Sequence, residues 1–170
     1  MRKIKRYHAY AVIILTFIAQ LVVSNYIDSA MLRPNLMIIL LTFLALFSDK
    51  WFGLEVGIIV GLFFDIVSIR PFGINILLYG AGGFLIGAYN NKFYRNSRIT
   101  SAILVFLASC FILSLYYISV TFVVSSMQSL AHFKPVLGPL VIIPSAVNSL
   151  FAVFLFTFLF KIFRYGEDVM

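Results

Sequence analysis

Charged residues are scarce in this sequence of 170 residues. They make up 11% of the chain, whereas 62% of it is apolar and 19 residues are phenylalanine. An ordinary soluble domain is about 25% charged and 45–50% apolar. A water-soluble fold of this size cannot bury so much apolar surface. The composition therefore excludes such a fold and predicts an all-α integral membrane protein whose main solvent is lipid.

Residues that carry chemistry are also few. The single cysteine, Cys110, excludes an intramolecular disulfide. The two histidines, His8 and His132, fall in segments predicted at opposite faces of the membrane, which excludes a metal site between them. The sequence contains no P-loop, GxSxG or HExxH motif. It therefore predicts no enzyme, no metal site and no cofactor.

The net charge is +7. In a soluble protein this excess would suggest nucleic-acid binding. Here the basic residues flank apolar runs, which indicates a role in membrane topology and contact with anionic headgroups. We therefore expect membrane lipids, and no nucleic acid, among the partners.

Six apolar runs follow one another along the chain. A membrane-crossing helix needs about 20 residues, and the runs predict helices over about residues 10–27, 35–47, 51–69, 72–89, 99–127 and 136–163. The connections are short, so residues 1–170 are expected to form a single membrane domain. The second run is short for a crossing. Runs two and three could instead form one re-entrant hairpin, which would leave five membrane units.

The distribution of basic residues predicts the orientation. With the N-terminus in the cytoplasm and six crossings, cytoplasmic segments hold ten Lys and Arg residues and the outer loops hold three, namely Arg33, Arg70 and Lys134. This asymmetry satisfies the positive-inside rule and favours six crossings with both termini inside. The first run follows a basic start but has no small-x-small cleavage site, so it is expected to be an uncleaved helix.

Glycines recur at helical spacing on the third and fourth helices. Gly53, Gly57 and Gly61 share one face of helix three, and helix four carries Gly80, Gly83 and Gly87. Small residues let helix backbones approach closely, which is a main source of helix packing in lipid. These faces are expected to pack on each other, with a partner subunit as the alternative occupant.

A set of polar residues is predicted near the outer face: Arg33, Asn35, Asp65, Arg70 and Asn75. Asp65 is the sharpest of them, because a carboxylate at membrane depth is costly and normally has a partner. It also falls near the C-terminal end of its helix, where the dipole disfavours negative charge. An ion pair with Arg33 or Arg70 would offset both costs. A contact with a partner or ligand is the alternative.

Helix five carries a polar stripe at spacings of three and four residues: Ser114, Tyr117, Thr121, Ser125 and Gln128. Residues so spaced share one face of a helix. The stripe predicts a face directed into the bundle or, alternatively, a ligand cavity or partner surface. In helix six, Asn148 lies one turn after Pro144 and could donate to carbonyls that the proline leaves unpaired.

Several of these residues together resemble the MreD family of bacterial rod-shape determinants. The resemblance rests on Arg33-Pro34-Asn35-Leu36 and on the Gly57-x-x-x-Gly61-Leu62-x-x-Asp65 pattern. It continues through Pro71-x-Gly73 and the glycines up to Gly87, so it covers roughly residues 33–95. Asn35 stands where the family usually has an acid.

The resemblance implies a non-enzymatic scaffold in the bacterial inner membrane. Its implied partner is an MreC-like protein with one membrane span, and through it MreB filaments and peptidoglycan synthases. It also implies a fold like that of the substrate-binding subunits of energy-coupling-factor transporters. A vitamin-type transporter subunit with an outer cavity is therefore an alternative function, and a lipid-headgroup site is a third.

Overall fold

In a computed structural model of the chain, residues 6–29, 31–68, 71–89, 98–124 and 130–165 are described, apart from the side chains of residues 98, 121–137 and 164–165. The described residues form six α-helices and no strand. The helices are α1 Arg6–Tyr26, α2 Leu36–Leu46, α3 Lys50–Val67, α4 Ile74–Ala88, α5 Arg98–Val124 and α6 Leu130–Tyr165.

The helix starts follow from local sequence. Asn35 and Asp49 are the N-caps of α2 and α3, and their side chains accept hydrogen bonds from the backbone N–H groups of Ile38 and Phe52. Gly73 precedes α4 with a φ of 104°, a left-handed conformation that glycine adopts at no steric cost. An L side chain at Gly73 would be strained even though no other atom lies within 4 Å.

The helices differ in length. Three contain stretches long and apolar enough to cross a membrane, at Arg6–Tyr26, Ile99–Val120 and Gly138–Phe163. This finding agrees with the predicted membrane protein. α2 and α4 are shorter apolar helices, and the 11 residues of α2 rise only about 16 Å, roughly half the thickness of a bilayer core.

α2 is the central helix, and it contacts each of the other five. Every residue from Met37 to Leu46 is buried. A helix that is apolar all round is expected to be enclosed on all sides. At its C-terminal end, the ring of Phe43 packs against Phe156, Phe160 and Phe163 of α6. Near this end lie Arg6, Lys50 and Lys161, and we call it the basic end of the bundle.

α3 and α4 pack backbone to backbone along the glycines predicted to line them. A Cβ built on Gly53 would lie 2.3 Å from the carbonyl oxygen of Gly83, and one on Gly57 would lie 2.2 Å from that of Tyr79. Gly61 has the same relation to Asn75, at 2.5 Å. We call this contact the glycine seam. Its residues are Gly53, Gly57, Gly61, Tyr79, Gly80, Gly83 and Gly87.

The residues of the seam are not equivalent. Gly87 closes it at the basic end, where a Cβ would meet the Cα of Lys50 at 2.8 Å. Gly80 is different, because a Cβ there would meet only the side chains of Ile58 and Leu54, at 3.4 Å and 3.6 Å. The structure thus brings the two predicted glycine faces together within the chain.

Candidate functional site

The N-terminus of α2 is held by side-chain amides from two neighbouring helices as well as by its own cap. Besides capping Ile38, Asn35 donates its backbone N–H to the side-chain oxygen of Asn148 on α6 at 2.6 Å. A helix leaves its first N–H groups without partners inside the helix. In an apolar interior those groups need partners from elsewhere in the protein.

Gln20 of α1 supplies the other amide. Its Oε1 accepts the N–H of Leu36 at 2.7 Å, and its Nε2 donates to the carbonyl oxygen of Pro34 at 3.3 Å. One side chain therefore serves both a donor and an acceptor at the start of α2. This pairing fixes the register between α1 and α2.

Two hydroxyls complete this arrangement. The Asn35 side-chain amide donates to the Tyr79 hydroxyl of α4, and that of Asn148 donates to the Ser109 hydroxyl of α5, each at 3.0 Å. We call Gln20, Asn35, Tyr79, Ser109 and Asn148 the amide cluster. All except the half-buried Asn35 are buried. The cluster connects five of the six helices.

The amide cluster lies near the middle of the apolar stretches. Ser109 is central in Ile99–Val120, and Asn148 is nearly central in Gly138–Phe163. A hydrogen bond between membrane helices is worth about 0.6 kcal/mol on average and up to about 1.7 kcal/mol. Leaving a buried member unpaired costs about 1–3 kcal/mol. Amides and hydroxyls do not titrate near neutral pH, so the cluster is suited to holding helices rather than to acid–base chemistry.

Asn148 thus has a different role from the one the sequence suggested. We expected its amide to reach a carbonyl freed by Pro144, whereas it bonds to Ser109 and Asn35. Ser145, next to Pro144, is fully buried, and its hydroxyl is the one buried side-chain polar atom without a partner in the described part of the chain.

Asp65 binds the start of the next helix. Its two carboxylate oxygens accept the backbone N–H groups of Gly73, Asn75 and Ile76 and the side-chain amide of Asn75, at 2.9–3.2 Å. The positive end of the α4 dipole favours the carboxylate, although the negative end of α3 does not. This buried acid, 3% exposed, thus has four hydrogen-bond donors among the described residues, and Arg33 is not one of them.

The other residues of the predicted outer polar set lie elsewhere. Arg33 donates through Nε and Nη2 to the carbonyl oxygen of Ile27, at 3.0 Å and 2.7 Å, just beyond the end of α1. Asn35 belongs to the amide cluster, and Arg70 lies outside the described residues. The structure therefore brings Asp65 and Asn75 together, whereas Arg33 and Asn35 bond to other groups.

The polar stripe of α5 is described only in part. Ser114 and Tyr117 are half-buried, and the ring of Tyr117 packs edge-on against Tyr116. The side chain of Thr121 is not among those described, and Ser125 and Gln128 lie outside the described residues. The α5 contact to the amide cluster comes from Ser109, which is not a member of the stripe.

Sequence reasoning missed Gln20, Tyr79 and Ser109 as parts of a site. Gln20 gave a usable signal, because its side chain carries an amide in the middle of an apolar helix, where polar groups normally have partners. Tyr79 and Ser109 gave no comparable signal. Tyrosine and serine are common in membrane helices, and their partners are far away in the sequence.

At the basic end, Glu55 of α3 joins α1. It accepts a hydrogen bond from the Tyr10 hydroxyl and pairs with Arg6 at 3.7 Å. The Arg6 guanidinium also lies 5.7 Å from the centre of the Phe52 ring. These contacts tie the start of α1 to α3. No group of three His, Cys, Asp or Glu residues that could hold a metal occurs among the described residues.

The comparison with protein families gives one match. The model for the family described as rod shape-determining protein MreD matches residues 1–162. No curated protein and no solved structure matches the chain.

Proposed function

The chain belongs to the MreD family of rod shape-determining membrane proteins, and from this premise we propose that it is a non-enzymatic scaffold subunit of the bacterial elongation machinery. In this role it resides in the cytoplasmic membrane and takes part in maintaining cell shape. Its partner is an MreC-like protein with a single membrane span. Through that partner it connects MreB filaments to peptidoglycan synthesis.

The observation that carries the proposal is the amide cluster. Its amides and hydroxyls bond helices to one another, and in doing so they fix the start of α2 against α1, α4, α5 and α6. Apolar side chains such as Leu150, Phe154 and Phe158 are directed outward from α6, with exposed fractions of 60–77%. A bundle fixed inside and apolar outside is suited to binding membrane helices of other proteins.

The proposed topology has six crossings with both termini in the cytoplasm. In it the basic end faces the cytoplasm, as the positive-inside rule requires. α2 completes its crossing together with the linker 27–35. A reporter that is active only in the cytoplasm, fused to the C-terminus, tests this topology. A reporter that is active only outside the cell would contradict it.

Co-purification tests the partner. The tagged full chain, extracted in mild detergent, is expected to bring down an MreC-like protein. Deletion of the gene for the chain itself is expected to give rounded cells. Gly57→Leu is expected to reduce the yield of the complex because it separates α3 from α4. Gly138→Ala is the matched control, since a Cβ at Gly138 meets no atom within 4 Å. Full recovery of the wild-type protein without such a partner would refute the scaffold role.

The transporter alternative has less support. It needs Asp65 and Asn75 to line an outer cavity, but the Asp65 carboxylate already accepts four hydrogen bonds, one of them from the Asn75 amide. These groups are therefore occupied by each other and by α4. A large, selective rise of the unfolding temperature with one vitamin would favour the transporter function.

A further inference from the structure

α1 and α2 differ greatly in length although they share the basic end. The 21 residues of α1 rise about 30 Å, and the 11 residues of α2 rise about 16 Å. Gln20, about 21 Å above Arg6 along α1, meets the start of α2. The chain must therefore descend by about 10 Å from the end of α1 to reach the start of α2.

The descending linker is not helical and is only partly enclosed. Residues 27–29 and 31–35 contain no helix. Pro34 is buried, but Asp28 and Ser29 are exposed and Leu32 is 59% exposed. Within the thickness of a bilayer, non-helical backbone occurs only where protein covers it or where water reaches it. At Asp28, Ser29 and Leu32 the described part of the chain leaves the linker uncovered, so the backbone there requires polar surroundings.

The charges of the linker indicate what those surroundings are. Arg33 donates to a neutral carbonyl, that of Ile27, and so keeps its full positive charge. Asp28 follows Ile27 directly and is exposed. Neither Arg33 nor Asp28 forms an ion pair with another residue of the described ranges. A cation bonded to the Ile27 carbonyl and an exposed anion at the next residue complement a zwitterionic headgroup, whose phosphate suits a guanidinium and whose ammonium suits a carboxylate.

We propose that linker residues 27–29 and 31–35 form the floor of a water-filled dip in the outer leaflet, into which zwitterionic phospholipid headgroups descend. The side assigned to the dip rests on the orientation given under the proposed function. Tyr26, 85% exposed at the end of α1, lies at its rim, where an amphipathic ring is favoured at the level of the headgroups.

Cysteine labelling of the full chain in its own membrane tests the dip. In a Cys110→Ala background, Leu32→Cys places a thiol in the dip. Val22→Cys is the matched control, because Val22 is 49% exposed at a similar height and points about 200° away from Gln20, toward lipid. Both variants should unfold at the temperature of the background protein.

The reagent is a membrane-impermeant maleimide, added separately to spheroplasts and to inside-out vesicles. Maleimide reacts with the thiolate, which needs water to form. Leu32→Cys in spheroplasts is therefore expected to react at least about tenfold faster than Val22→Cys, which corresponds to one unit of thiol pKa.

The outcomes are distinct. Slow reaction of Leu32→Cys in both preparations overturns the dip and leaves the orientation intact. Fast reaction confined to inside-out vesicles overturns the outer-leaflet assignment together with the proposed orientation. Equally fast reaction of both variants shows that Val22 is not in lipid and overturns the depth on which the argument depends.

Quenching identifies the headgroups. A fluorophore on Leu32→Cys is reconstituted in vesicles that contain phosphatidylethanolamine spin-labelled either on its headgroup or in mid-chain. The headgroup label is expected to quench it more strongly than the mid-chain label, with the opposite order for Val22→Cys. Stronger quenching by the mid-chain label at Leu32→Cys would overturn the descent of headgroups.

Discussion

Replacing Gly57 by alanine would place a methyl carbon 2.2 Å from the carbonyl oxygen of Tyr79 and 2.8 Å from the Cα of Gly80. Both are backbone atoms, so no side-chain rotation can relieve the contact. To bring this methyl carbon to an ordinary distance of 3.4 Å from the Tyr79 oxygen, α3 and α4 must separate locally by about 1.2 Å, the difference between 3.4 Å and 2.2 Å. A gap of this size forfeits a quarter to a half of the dispersion energy at each seam contact.

The expected cost of Gly57→Ala is about 3 kcal/mol, at the upper end for overpacking, offset by about 1 kcal/mol from the better helix propensity of alanine. Gly80→Ala is the matched control in the same seam, because its Cβ meets side-chain atoms at 3.4 Å and 3.6 Å and no backbone atom nearer than 4.0 Å. It should be neutral or stabilising by up to about 1 kcal/mol.

The two variants should therefore differ by about 2–3 kcal/mol, or roughly 4–12 °C in unfolding temperature for a chain of this length. Thermal unfolding of the purified proteins in detergent measures the difference. If Gly57→Ala and Gly80→Ala unfold at the same temperature, the backbone contact across the seam does not exist as described.

Three further variants test the polar contacts. Asp65→Asn removes one acceptor oxygen and turns an NH₂ group toward N–H donors, so it should destabilise the protein by about 2 kcal/mol in thermal unfolding; unchanged stability would contradict the four-bond arrangement. Asn148→Leu should cost about 1–3 kcal/mol in the same assay, because it leaves the Asn35 N–H without its acceptor and the buried Ser109 hydroxyl without its donor. Glu55→Gln keeps a partner for Tyr10 and removes only the exposed pair with Arg6, so it should change stability by less than about 1 kcal/mol. A larger loss would show that the Arg6 pair is more than a surface contact.

The sequence predicts the positions of the helices because charge, proline and glycine interrupt the apolar runs. The run predicted over residues 35–47 corresponds to α2 at Leu36–Leu46, and the run over 51–69 corresponds to α3 at Lys50–Val67. The largest difference is in α6, which begins at Leu130 rather than at 136. The prediction starts this helix directly after Pro135 because proline disfavours a helix interior, whereas α6 includes Pro135 in its second turn.

Long-range partners were beyond the reach of the sequence. Asn35 and Asn148 are 113 positions apart, and no periodic pattern relates two residues on different helices. The contact between the glycine faces was easier to predict, because helices three and four follow each other in the sequence and the short turn between them makes them antiparallel neighbours. For Asp65 the sequence predicts a partner, because an unpartnered carboxylate at membrane depth is costly. Most of its donors are backbone N–H groups at the start of the following helix. Every residue except proline has such a group, so the sequence does not indicate which of them bind Asp65.

The enclosure of α2 has a consequence for how the protein is made. A segment of 11 residues is too short to enter a bilayer as an independent helix, and two of its five neighbours, α5 and α6, are synthesised well after it. During translation α1 can be accepted by the membrane alone, whereas α2 attains its final place only after α6 has left the ribosome. Biogenesis of this protein therefore requires late helices to close around an early one, and truncation of α6 should expose α2 to quality-control proteases.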